Sequence, residues 1–125
     1  MGTTENTTKA GFEPAAAQAQ MRKGVLELCI LSILLQGDAY PTEIIDKLKD
    51  TKLVVVEGTL YPLLTRLKNA GMLGYRWEES TSGPPRKYYK LTEAGELYLK
   101  ELQQSWYELV EAVDKTIAQN KNIQH

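Results

Sequence analysis

Residues Gly58 to Gly71 read G-T-L-Y-P-L-L-T-R-L-K-N-A-G and gather hydroxyl, amide and cationic side chains on one short segment. Leu60, Leu63, Leu64 and Leu67 fall at i, i+3, i+4 and i+7, an apolar helical stripe that must face a core. The side left over carries Thr59, Tyr61, Pro62, Thr65, Arg66, Lys68 and Asn69. Such groups make and break no covalent bonds; they donate and accept hydrogen bonds and attract anions, which is the chemistry of recognition. Gly71 supplies a stop, because glycine takes the left-handed conformation that ends a helix without steric cost.

Catalytic constellations are missing from the rest of the chain. His125, the only histidine, is the last residue, Cys29 has no base near it, and no carboxylate or Cys/His cluster has metal-ligand spacing. Glu78 and Glu79 adjoin, but on a strand they point to opposite faces. Neither an enzyme nor a metal or cofactor site is expected.

At 125 residues the chain suits one domain plus an extra element, and its net charge of −1 advertises no partner as a whole. The balance is uneven, however. Between Gly58 and Lys90 six basic residues face two acidic ones, whereas acids outnumber bases on either side. Cys29 is the only cysteine, so no internal disulfide forms, and a reduced, cytoplasmic setting is expected. Its apolar run V-L-E-L-C-I-L-S-I-L-L is too short and too interrupted to span a membrane, which needs about 20 apolar residues. The N-terminus lacks the basic-then-apolar layout of a signal peptide. No membrane partner is expected.

The elements that must position the recognition segment follow from pattern. Residues 1–13 are polar and unpatterned and read as a disordered arm. A first helix runs from Pro14 to near Gly37, with Leu26, Cys29, Ile30, Ile33 and Leu34 as its inner stripe. Val25, Leu28, Leu31 and Leu35 widen that stripe beyond what one small domain can cover, so a partner surface is implied. Pro41 opens a second helix ending near Asp50. Pro62 is tolerable only in the opening turns of the third helix, which therefore begins near Glu57. After Gly71 the period changes to two: Leu73, Tyr75 and Trp77 mark one strand, Arg86 to Leu91 a second, with S-T-S-G-P-P between them. Thr92 then caps a final helix reaching about Gln119, and residues 120–125 form a tail. Along that helix Leu99, Leu102, Trp106, Leu109 and Val113 alternate spacings of three and four, the seam of helix against helix and the expected interface of a homodimer.

The fold class is thus mainly α with a small β-hairpin. Three helices followed by a basic-rimmed hairpin is the order of a winged helix-turn-helix, here residues 14–91, joined to a dimerisation helix at 92–119. Tyr61, Thr65 and Arg66 would face a duplex, and Tyr88 and Tyr89 must divide between the two faces of the hairpin.

V-E-G-T-L-Y-P-L-L-T-R-L, together with G-P-P-R-K-Y-Y-K-L-T-E-A-G in the wing, resembles the PadR family of bacterial transcriptional regulators over about Met21 to Ile117. The chain departs from that pattern at Tyr40-Pro41-Thr42, where many relatives have Tyr-Gly-Tyr. The resemblance implies a dimeric, effector-responsive repressor. Thr59, Leu60, Tyr61 and Pro62 match the start of the family's recognition helix, and Arg86, Lys87, Tyr88 and Tyr89 its second wing strand. The expected DNA-binding set is Thr59, Tyr61, Pro62, Thr65, Arg66, Lys68, Arg86, Lys87 and Tyr89. A symmetric dimer implies a palindromic operator in double-stranded DNA. Trp106 is either a packing residue or the flat wall of an interface cleft for a small aromatic effector, the latter on resemblance alone. The competing reading is a winged-helix protein-interaction module, against which the local cationic surplus argues.

Overall fold

A computed structural model describes residues 12–119; all but the last two residues of the expected arm over 1–13, and the tail over 120–125, lie outside the described residues. Four helices and one hairpin follow in chain order: α1 (Pro14–Gln36), α2 (Pro41–Asp50), α3 (Glu57–Asn69), β1 (Leu73–Ser80), β2 (Gly83–Leu91) and α4 (Glu93–Ala118). The helix starts are set by the residues that signalled them. Pro41 begins α2, and the Glu43 side chain reaches back to the Tyr40 N–H at 3.1 Å. Gly71 ends the α3 segment at φ +85, a conformation that L side chains rarely adopt.

Leu60, Leu64 and Leu67 of α3 are 0%, 0% and 3% exposed. Burying each contributes roughly 1.5–3 kcal/mol, so the recognition segment is anchored by its leucines rather than by intrinsic helix propensity. Leu63, at the edge of the stripe, is half-buried. Leu26, Ile30, Leu31 and Leu34 of α1, Ile44 and Leu48 of α2, and Leu73, Tyr89 and Leu99 complete the same core. Leu31 lies on the inner stripe of α1, whereas Cys29 and Ile33 are half-buried on the side that faces the later part of α4.

The strands pair antiparallel, with Tyr75 opposite Tyr89, Trp77 opposite Lys87, Arg76 opposite Tyr88 and Glu78 opposite Arg86. Ala39, in the α1–α2 connection, exchanges both backbone hydrogen bonds with Tyr89 at 3.1 and 2.8 Å, which ties the wing to the start of α2. Thr92 caps α4: its Oγ1 accepts from the Gly95 N–H at 3.0 Å and lies 2.6 Å from the Gly71 carbonyl oxygen.

One expected interface residue is corrected. Leu99 is 1% exposed and belongs to the core of its own subunit, because the first turns of α4 pack on α1 and the hairpin base. Leu102 is half-buried against that core. Farther along, Trp106, Leu109 and Val113 are 39%, 55% and 45% exposed. The heptad pattern is therefore continuous in sequence but divided in space, its first part internal and its later part exposed among the described residues.

Candidate nucleic-acid interface

Opposite the buried leucines, Gly58, Pro62, Thr65 and Asn69 follow one another at spacings of four, three and four and are all exposed. They form the outward stripe of α3. Tyr61 and Lys68, seven residues apart, flank it on the side of the hairpin; Thr59 and Arg66 flank it on the side of α1. The helix thus presents a hydroxyl and an amide centrally, with the Tyr61 phenol and Lys68 at one edge and the Thr59 hydroxyl and Arg66 at the other.

A groove of about 540 Å³ separates α3 from the wing, and its walls include Tyr40, Thr42, Tyr61, Thr65, Trp77, Arg86 and Lys87. Arg86 and Lys87 of the wing do not hang free; rings hold them. The Lys87 ammonium lies 4.4 Å from the Tyr75 ring centre, 5.4 Å from that of Trp77 and 5.8 Å from that of Tyr89. Cross-strand pairing puts Trp77 beside Lys87 and Tyr75 beside Tyr89 on one face, so the register itself builds this cradle. On the other face the Arg86 guanidinium sits 4.6 Å from the Tyr40 ring centre. Tyr40 in turn meets Tyr88 edge-on at 5.1 Å. Lys68 of α3 reaches the Tyr75 ring at 5.3 Å. Each exposed cation–ring contact is worth about 0.5–1 kcal/mol, enough to bias where the charge stands without consuming it.

Ion pairing separates the six bases of this region into two groups. Arg76 is held by Asp38 at 3.4 Å and Glu78 at 3.1 Å, and its pKa is raised, first by the hydrogen bond to Glu78. Arg66 pairs with Glu27 of α1 at 2.8 Å. Lys68, Arg86, Lys87 and Lys90 have no carboxylate partner among the described residues. These four carry the local surplus that the sequence shows, three of them on or beside the groove.

Of the expected DNA-facing residues, Tyr61, Pro62, Thr65, Lys68, Arg86 and Lys87 share the α3–wing side, and Thr59 and Arg66 lie on the flank toward α1. Tyr89 is the exception. Only 4% exposed, it is buried in the core cluster beneath Tyr75 and Lys87, and burial is the main cause that pushes its phenol pKa up. Its part is to support the cradle, and among the two wing tyrosines Tyr88 is the more exposed. The residues not anticipated are the supports: Tyr40, Tyr75 and Trp77, the last 62% exposed.

A second apolar region lies away from the groove. A cavity of about 630 Å³ opens between α1, the end of α2 and α4, walled by Leu28, Cys29, Ile33, Leu53, Trp106 and Tyr107 among others. Beyond it Leu109, Val113 and Ile117 remain 45–55% exposed along one side of α4. Among the described residues, no helix is long and apolar enough to cross a membrane.

The family model described as the transcriptional regulator PadR-like family matches residues 30–101. A solved PadR-like transcription factor from Bacteroides fragilis is 60% identical, covers 80% of this chain and 97% of its own, and superposes with a TM-score of 0.68. A PadR family transcriptional regulator from Eggerthella lenta is 33% identical over 82% of this chain and 90% of its own, with a TM-score of 0.77. An uncharacterised protein from Lysinibacillus sphaericus is 32% identical over 95 residues, 74% of this chain and 87% of that protein.

Proposed function

This chain belongs to the PadR-like family of transcriptional regulators, and from that premise we propose that it binds double-stranded DNA as a homodimer in the cytoplasm and represses transcription in response to a small effector. In this reading the outward stripe of α3 enters the major groove, where Thr59, Tyr61, Pro62, Thr65 and Lys68 meet base edges and the adjoining backbone. Arg86 and Lys87 hold phosphates from the wing. The observation that carries the reading is the pairing of an exposed hydrogen-bonding stripe with cations that have ring supports and, among the described residues, no carboxylate partner. Phosphate neutralisation supplies most nucleic-acid affinity, and ring support lowers the entropy cost of each contact.

Two subunits are needed because few free cations face the duplex from each one. The exposed side of α4 beyond Leu102, carrying Trp106, Leu109 and Val113, and the cavity beside it supply a self-complementary apolar surface. Pairing about a two-fold axis then requires a palindromic operator with half-sites about one helical turn apart, or a multiple of it. Selection from random duplex DNA should enrich such a palindrome, and light scattering at micromolar concentration should report a dimer that Leu109→Glu converts to monomer. Enrichment of no sequence would favour a protein-interaction module instead.

Trp106 borders the 630 Å³ cavity and a second one of about 150 Å³ beside Gly24 and Glu27, which supports its role as the wall against which an aromatic effector stacks. An effector acts by binding one arrangement of the two subunits better than another. In a Trp77→Phe background, its binding should quench Trp106 emission as the operator complex dissociates. A ligand that releases DNA without changing that emission acts elsewhere.

A further inference from the structure

Helices α1, α3 and α4 meet at one carboxylate. The Glu27 side chain is 18% exposed, and its two oxygens serve different helices. Oε1 accepts a hydrogen bond from the Tyr98 hydroxyl of α4, and Oε2 accepts one from Arg66 Nη2 of α3 at 2.8 Å. The bond to Glu27 is also the leading cause that raises the Tyr98 phenol pKa. The Arg66 side chain, by contrast, is 68% exposed.

An exposed arginine ordinarily gains little from a surface ion pair, because it must surrender rotamer freedom in a medium that screens the attraction. Glu27 is not an ordinary surface partner. It is largely shielded and already fixed at its other oxygen, so only the guanidinium has freedom to lose. The pair is electrically neutral, and it lies on the flank of α3 away from the groove. An unrestrained Arg66 would attach to whichever phosphate came near, and that attraction is blind to sequence.

We infer that Glu27 is a specificity-determining positioning residue: it holds Arg66 on the α1 flank of the recognition helix, withholds its charge from indiscriminate phosphate contact, and through Tyr98 ties that restraint to α4. The inference rests on the duplex-binding reading of α3. It also gives α4 a polar route to the recognition helix. Trp106 lies two turns beyond Tyr98, so a shift of α4 reaches Arg66 through a single shared carboxylate.

The test uses the full-length protein, its selected palindrome and a random-sequence duplex of equal length, each titrated across a salt series. Glu27→Gln keeps the shape and an acceptor for Tyr98 while removing the charge that holds Arg66. Random-duplex binding should tighten about three- to tenfold, with a log–log salt slope steeper by about 0.9 for each subunit, while palindrome binding changes less. The preference for the palindrome therefore falls. In an Arg66→Met background the same substitution should leave the slope unchanged, and Tyr98→Phe should lower the preference by a smaller factor. A Glu27→Gln protein that keeps its preference and slope, or that loses thermal stability and weakens on both duplexes alike, overturns the inference. A wild-type protein with no preference for any duplex overturns the DNA-binding reading itself.

Discussion

Gly95→Ala should destabilise this protein more than any other single-methyl change. Gly95 is the third residue of α4 and is buried where that helix starts against the base of the hairpin. A Cβ built there would stand 2.1 Å from the Met72 carbonyl oxygen and 3.1 Å from Leu91 Cδ2. The first of these is backbone, so no rotamer change relieves it. The same Met72 carbonyl accepts the Thr92 N–H at 3.1 Å, and Thr92 Oγ1 caps α4 through the Gly95 N–H. Moving α4 away to admit the methyl group would stretch the cap and the Thr92–Met72 bond together. Overpacking of this kind costs about 1–3 kcal/mol and occasionally more, which for a chain of this size lowers the thermal midpoint by roughly 4 °C per kcal/mol. A melting curve followed by circular dichroism measures it. An unchanged midpoint would mean that the α4–hairpin junction tolerates displacement and that the Gly95 contact does not fix it.

What the sequence revealed and what it hid divide along a physical line. The leucine spacing of α3, Pro41 at the start of α2, Gly71 after α3 and Thr92 before α4 are local signals, each acting within a few residues of its own position, and each marks the boundary observed. Periodicity marks Leu99 through Val113 as one apolar seam. It does not say which chain supplies the apolar surface, so it cannot separate Leu99, which packs internally, from Leu109, which does not. Tyr88 and Tyr89 show the same limit on a strand. Alternation requires opposite faces, but which face is inward depends on the Ala39–Tyr89 bridge, a contact across 50 residues that no local pattern encodes. The Lys87 cradle required the register of the hairpin, and the Glu27–Arg66 pair joins residues 39 apart on two helices. Supports and restraints are long-range, and the recognition stripe is local.

The second large effect concerns the wing. Arg86 and Lys87 stand on opposite faces of β2, each against its own ring system, so a duplex lying across the wing tip meets both charges already placed. If each holds one phosphate in a dimer, as proposed, replacing both with alanine removes two phosphate contacts from each subunit and four from the pair. At about 0.9 for each phosphate, the log–log slope of affinity against salt should become shallower by about 3.6, and binding at low salt should fall by orders of magnitude. Because phosphate contacts carry no sequence information, palindrome and random duplex should weaken alike. Thr65→Ala on the outward stripe of α3 should behave otherwise, costing about 1–3 kcal/mol on the palindrome and little on random DNA, with the salt slope unchanged. A gel-shift titration of wild type, Arg86→Ala/Lys87→Ala and Thr65→Ala against both duplexes, from 50 to 200 mM salt, separates the two roles in one measurement. The expected result is a loss of slope confined to the wing variant and a loss of preference confined to the helix variant. Equal affinity and equal slope for all three proteins would contradict the assignment of α3 and the wing to DNA.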